Sequence, residues 1–397
     1  MDGRIRQLTE VMLRQYGVSP THALSAPGRV ELGGNHTDHN RGKVLAAAVD
    51  LDMTAVAAPL DAPVLIAYSE ADGEQRIDLT QLDPVPAERL TSRALMRGVV
   101  RNLQSDFKTG GLLIVYDSQI LPGAGLASSA AFEILIGGAI SAVYNDGSIP
   151  PIALARAGQA SEVRDFGKPS GLMDQLASVT GGVVAIDFAP DEPVIDSLPF
   201  DLEATGCRLV IVNTGGSHTD LTDAYNRIPD EMHSIAAVFN ERDLQAVKPS
   251  AFLAGIKVLR ALGNDRAVLR AFHFFAETAR VPAMLAALQS NDMNGYFALV
   301  RASGQSSALW LQNTKIEGMP EHQPLHIALA LSEHFLGNEG AARVQGGGFA
   351  GTIQAYVRLN RVDDYMAFMD DVFGDSSCTV VRLRTAGLTM KALDAGQ

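Results

Sequence analysis

Three glycine-bearing segments concentrate the residue types that can do chemistry. The first is Leu121-Pro122-Gly123-Ala124-Gly125-Leu126-Ala127-Ser128-Ser129-Ala130-Ala131. It lies between a strand expected at 111–116 and a helix expected at 128–144. Glycines let a backbone approach a ligand closely. The free N–H groups of a helix start, with the helix dipole, attract anions. The two serines add hydroxyls for phosphate oxygens or a metal ion. No Lys follows the glycines, so the segment is not a Walker-type loop, and its place in the chain does not suit a dinucleotide fold. The second segment, Pro27 to Asn40, crowds Arg29, Glu31, Asn35, His36, Thr37, Asp38 and His39 among glycines. Such crowding is costly in a core and useful in a polar pocket. The third, Gly346-Gly347-Gly348-Phe349-Ala350-Gly351, has four glycines in six residues before a strand. That spacing points to close backbone approach.

The elements around these segments read as mixed. Helical periodicity is expected at 1–17, 87–107, 128–144, 152–163, 171–180, over most of 221–336 and at 363–373. Buried or half-buried strands are expected at 44–58, 64–69, 75–79, 111–116, 182–187, 208–213, 352–359 and 379–383. Ser25, Pro27 and Gly28 read as a loop. Strands and helices without strict alternation define an α+β class. With 397 residues, two domains are expected, 1–200 and 201–397, with a soft boundary near 190–210.

Composition narrows the function. Apolar residues make up 47% and charged residues 19%, an ordinary globular balance. The net charge of −13 disfavours nucleic acid and anionic membranes as partners. The two cysteines, Cys207 and Cys378, lie far apart, without metal-site or disulfide spacing. No apolar leader follows Met1 and no uninterrupted apolar stretch reaches membrane-spanning length, so a cytoplasmic protein is expected.

The order and spacing of the three segments resemble the GHMP kinase family, and its galactokinase branch most of all. Pro122 to Ala130 matches the family pattern P-x3-G-L-x-S-S-A. Gly28 to Asn40 matches the galactokinase pattern G-R-V-N-L-I-G-E-H-T-D-Y-N at nine of thirteen positions. The third segment is similar to G-G-G-F-G-G. The resemblance implies a two-domain architecture, with a ribosomal-protein-S5-like N-terminal domain and a ferredoxin-like C-terminal domain carrying added helices. It implies ATP and Mg²⁺ as cofactors and phosphorylation of a sugar hydroxyl, the anomeric hydroxyl of galactose or a galactose-like sugar. The expected partners are therefore the sugar and ATP, on a monomer or small homo-oligomer.

Residue roles follow from the same resemblance. Pro122, Gly123, Ala124, Gly125, Leu126, Ala127, Ser128 and Ser129 would hold the nucleotide. Asp174, in Gly167-Lys168-Pro169-Ser170-Gly171-Leu172-Met173-Asp174-Gln175, matches the catalytic carboxylate of G-x-P-x-G-I-M-D-Q, and Arg29 matches its cationic partner. Glu162 and Ser129 would hold Mg²⁺, whose preference is for hard oxygen ligands. Asn35, His36, Asp38, Gly171 and Tyr225 fall at sugar-facing positions. Gly346, Gly347 and Gly348 form the structural glycine motif.

Departures from the pattern bear on specificity. Asn35 stands where galactokinases carry a Glu that accepts a hydrogen bond from the sugar's C6 hydroxyl. Glu31 replaces Asn and His39 replaces Tyr. An amide is a weaker acceptor than a carboxylate, so an acceptor altered at C6 is expected, such as galacturonate or arabinose. N-acetylgalactosamine is a further candidate. A mevalonate-type kinase is disfavoured by His36-Thr37-Asp38 and by the spacing of Gly171 to Asp174. A non-catalytic sugar-binding regulator is disfavoured by the intact Ser128-Ser129 and Asp174. An oxidoreductase lacks its glycine fingerprint.

Overall fold

The computed structural model describes residues 2–120, 123–215, 222–316, 318–349 and 351–393. Pro122 and Ala350, in the first and third glycine segments, lie outside the described residues. Helix α1 (Asp2–Tyr16) buries Leu8, Val11 and Met12. Strands β1 (His22–Gly33) and β2 (Lys43–Leu60) form a long antiparallel pair. The short β3 (Val64–Ser69) and β4 (Gly73–Asp78) form a hairpin, followed by helix α2 (Ser92–Leu103) and β5 (Gly111–Ser118). Helices α3 (Ser128–Tyr144), α4 (Pro151–Ser161) and α5 (Met173–Thr180) come next, then β6 (Val183–Asp187) and β7 (Val194–Leu198). Strand β8 (Cys207–Asn213) opens a second sheet. Five helices separate it from its partners: α6 (Thr222–Val238), α7 (Pro249–Ala261), α8 (Asp265–Gln289), α9 (Met293–Ser306) and α10 (Pro324–Leu336). Then follow β9 (Ala341–Val344), β10 (Thr352–Arg358), α11 (Val362–Phe373), β11 (Cys378–Val381) and β12 (Thr389–Ala392).

Among the described residues eight strands make the first sheet, with order β12-β1-β2-β5-β3-β4 and with β6 and β7 added beside the start of β2. Only β3 and β5 pair in parallel there. The second sheet has order β11-β8-β10-β9 and is antiparallel throughout. The chain passes from one sheet to the other between Leu198 and Cys207. Strand β12 later brings its end back to β1, so a division at residue 200 leaves one C-terminal strand in the N-terminal sheet.

The apolar run of β2 follows from burial on both faces. Side chains alternate across a strand. Val56 and Ala58 pack with α1, whereas Ala55 and Ala57 join the core that holds α3. Helix α3 is buried all round, from Ala130 to Ala142, because α2, α4 and α5 enclose the sides that the sheet does not. This rigid helix carries the serine segment at its N-terminus.

Three sequence expectations change. Ser25, Pro27 and Gly28 lie within β1 rather than in a loop. Their buried position in a sheet overrides local turn chemistry, and the pairing absorbs Pro27 and Gly28 through a register shift between Pro27 and Arg29. Strands β7, β9 and β12 are too short to carry a periodic signal. Helix α2 begins at Ser92, after a single 3-10 turn at Pro86–Glu88. No helix among the described residues is long and apolar enough to cross a membrane.

Candidate active site

Arg29 lies on β1 just past the register shift, and Asp174 sits in the first turn of α5. The Arg29 guanidinium grips the carboxylate with two parallel bonds, Nε to Oδ1 and Nη2 to Oδ2, both 2.7 Å. Burial works to raise the Asp174 pKa, but the Arg29 charge and hydrogen bonds outweigh it and hold the carboxyl below its usual range. Arg29 also donates through Nη1 to the Gly125 carbonyl at 2.5 Å, and its backbone N–H bonds the Leu126 carbonyl at 3.0 Å. The first and second glycine segments are thus bonded through one residue. Ser178 Oγ donates to the Pro27 carbonyl at 2.7 Å, locking α5 onto β1.

The serine segment enters α3 through Gly123 and Gly125, both at positive φ, and through Ala127, which is left-handed at φ 58°. A non-glycine residue held there stores strain, which commonly marks a functional turn. Ala127 is the N-cap and has no side-chain acceptor, so no cap covers the first-turn amides of α3. The Ala124 carbonyl accepts from Thr352 Oγ1 at 3.2 Å, and the Gly125 carbonyl also accepts from Gln345 Nε2 at 2.9 Å.

Beside this helix start, Ser129 Oγ donates to Glu162 Oε1 at 2.8 Å. Glu162 opens a π turn, Glu162–Phe166, that ends α4. The turn is pinned to α2 by a bidentate Arg101–Asp165 pair at 2.6 and 2.7 Å. The Glu162 side chain is fully buried. Gln175 Nε2 bridges Glu162 Oε2 at 3.1 Å and Glu133 Oε2 at 2.8 Å. Burial and the neighbouring Glu162 charge push the Glu133 carboxyl well above its ordinary range. Glu133 Oε1 and Gln175 Oε1 are buried without a hydrogen-bond partner. Neither residue stood out in the sequence, although a Glu inside the otherwise largely apolar α3 was a legible signal.

The third glycine segment is held carbonyl by carbonyl. Asn35 Nδ2 donates to Gly346 O at 2.8 Å, and Tyr225 Oη donates to Gly348 O at 2.9 Å. His36 Nε2 and Asn313 Nδ2 both reach Gly347 O, at 2.9 and 3.1 Å. Gly346 and Gly348 are at positive φ, and a Cβ at Gly347 would run into the Tyr225 ring. Gly347→Ala should therefore destabilise the fold by about 1–3 kcal/mol, as overpacking does. A denaturant midpoint equal to wild type would contradict this contact.

The sugar-facing expectations divide. Asp38 lies against Gly171, so closely that a Cβ at Gly171 would overlap its carboxylate. His36 is held neutral, its pKa lowered to about 3 by burial and then by His39, and its Nδ1 is left as a buried acceptor without a partner. Burial raises the Tyr225 hydroxyl to about 12, so it stays protonated. Asn35 does not fit its expected place. It is fully buried, and its amide is consumed inside the protein. Nδ2 donates to Glu31 at 3.1 Å as well as to Gly346, and Oδ1 accepts from Ser307 at 3.2 Å and Asn313 at 2.9 Å. Glu31 in turn is paired with the buried Arg343 of β9. The two departures at positions 31 and 35 are thus in contact with each other, and they join the two sheets.

Family models match this chain at residues 13–59, as a galactokinase galactose-binding signature, and at 94–182, as a GHMP kinase N-terminal domain. The fold is that of these kinases. A galactokinase from Lactococcus lactis in complex with galactose superposes with TM-score 0.85 at 22% identity, covering 97% of this chain and 99% of that one. A mevalonate kinase superposes with TM-score 0.63 at 15% identity, covering 91% and 99%. The chain is a GHMP-type sugar kinase.

Its particular branch follows from sequence relatives. It is 30% identical over 370 residues to a galactokinase of Actinobacillus pleuropneumoniae serotype 5b, covering 91% of this chain and 92% of the relative. It is 30% identical over 375 residues to one of Glaesserella parasuis, covering 90% and 91%. The chain belongs to the galactokinase family.

Proposed function

We propose that this kinase transfers the terminal phosphoryl group of ATP to the anomeric hydroxyl of a galactose-like sugar. The observation that carries this reading is the bidentate Arg29–Asp174 pair, set between the uncapped start of α3 and the Asp38–Gly171 contact. Phosphoryl transfer requires a placed acceptor, a phosphate cradle and positive charge near the transferred group. Asp174, kept ionised by Arg29, accepts or orients the acceptor hydroxyl's proton. The remaining guanidinium charge faces negative charge developing on the phosphoryl oxygens. The Gly123–Ser129 backbone and the α3 amides cradle the nucleotide phosphates.

A hydroxyl and a buried carboxylate that share a hydrogen bond are a hard-oxygen donor set, so Ser129 and Glu162 suit a magnesium ion. When bound, the ion would offset phosphate charge. His36, Asp38, Gly171 and Tyr225 are the proposed sugar contacts.

The acceptor's C6 substituent is the point of difference. The carboxylate that galactokinases present at position 35 is replaced here by a saturated amide, and the nearby carboxylate of Glu31 is neutralised by Arg343. This favours an acceptor that lacks the C6 hydroxyl or carries a carboxylate there. The test is ATP consumption with Mg²⁺ against galactose, galacturonate, arabinose, N-acetylgalactosamine, glucose and mevalonate. Turnover of one galactose-like sugar, about a hundredfold or more slower in Asp174→Asn, is expected. A clear preference for galactose would sink the C6 reading alone, and turnover of mevalonate only would sink the sugar assignment.

A further inference from the structure

Glu162 Oε1 receives two donors in this structure. Ser129 Oγ lies at 2.8 Å and Lys168 Nζ also lies at 2.8 Å. The carboxylate is fully buried, whereas the Lys168 side chain is 48% exposed. Lys168 falls at an unspecified position of the catalytic-segment pattern, so the resemblance assigns it nothing. A buried carboxylate needs a compensating charge, and Lys168 supplies it, reaching in from solvent.

We propose that Lys168 is a phosphate ligand of the nucleotide that serves, before the nucleotide arrives, as the counter-ion of Glu162. The proposal rests on the kinase reading above. A divalent cation cannot share Ser129 and Glu162 with an ammonium on the same carboxylate oxygen, because two cations that close repel strongly. One must leave. Lys168 is free to do so: its stem is flexible, and half of its side chain already faces water. The other carboxylate near its path, Asp174, is gripped at both oxygens by Arg29. The uncapped start of α3, where the phosphates of a nucleoside triphosphate would lie, begins one residue before Ser129. An ammonium released from Glu162 therefore finds its new partner in the phosphates. Metal and nucleotide consequently bind together, and free metal binds poorly.

The test uses the full chain as wild type, Lys168→Met and Lys168→Gln. Affinity for Mn²⁺ alone is read from the electron paramagnetic resonance signal of free Mn²⁺. KM values for Mg·ATP and for the sugar are measured separately. Either variant should bind Mn²⁺ without nucleotide roughly two- to fivefold more tightly, the scale of an ion pair with one half-exposed partner. Its KM for Mg·ATP should rise about tenfold or more, as for loss of a hydrogen bond to a charged group, with the sugar KM unchanged. A merely structural lysine would not move the two affinities in opposite directions. Folded variants with unchanged or weaker Mn²⁺ affinity, or with an unchanged KM for Mg·ATP, overturn the proposal. Wild-type protein that binds no Mg·ATP overturns the kinase reading itself, a failure seen without any variant.

Discussion

Asparagine in place of Asp174 is expected to lower kcat by about 10²–10⁴-fold, the usual worth of a positioned acid–base group. The amide keeps the size of the carboxylate but cannot take a proton, and it offers Arg29 one acceptor in place of two. The pH dependence carries the sign of the effect. Burial raises the Asp174 pKa, and Arg29 more than reverses that, so wild-type activity should persist to acid pH and fall only as pH drops through the lowered value. Arg29→Met removes the reversing charge. Its acid limb should therefore move upward in pH. A pH–rate profile of the residual activity measures this directly. An acid limb unmoved in Arg29→Met would mean that the limb belongs to another group.

The second large effect is one of stability. Arg343→Ala leaves the Glu31 carboxylate buried and unpaired, and it should cost about 3–5 kcal/mol, as breaking a buried ion pair does. Glu31 is 3% and Arg343 0% exposed, so water cannot take over the lost charge. Burial already holds the Glu31 pKa above its ordinary value, with Arg343 opposing the rise. A carboxyl with a raised folded-state pKa contributes its stability below the unfolded value, and that contribution is lost as pH rises through the folded value. The deficit of the variant should therefore be largest at neutral pH and shrink on acidification. Adding Glu31→Gln should recover much of it. Denaturant melts of the single and double variants across pH check both statements. An equal deficit at every pH would show that lost packing, not charge, is responsible.

Much of the candidate site was legible because its chemistry is local. The Gly-Ser segment, Arg29 and Asp174 stand in short patterns, two of which run into the first turn of a helix. Long elements such as β2 and α3 were legible for a similar reason: sustained apolar runs have few ways to be buried. The loop expected at Ser25–Gly28 was not, since only the neighbouring strand and the bulge that accommodates Pro27 reveal it as part of β1.

The chain's own residues determined the kinase class, the order of its motifs and the acidic residue at its centre. Tertiary structure decided which polar groups remain available to a ligand. Asn35 reads as a sugar contact in one dimension, yet partners at positions 31, 307, 313 and 346 saturate it in three. Lys168 falls at an unspecified position of its sequence pattern, yet it shares an oxygen with Ser129. The physical reason is the same in both cases. A hydrogen-bonding group has few directions to offer, and residues from other elements of the fold can take them.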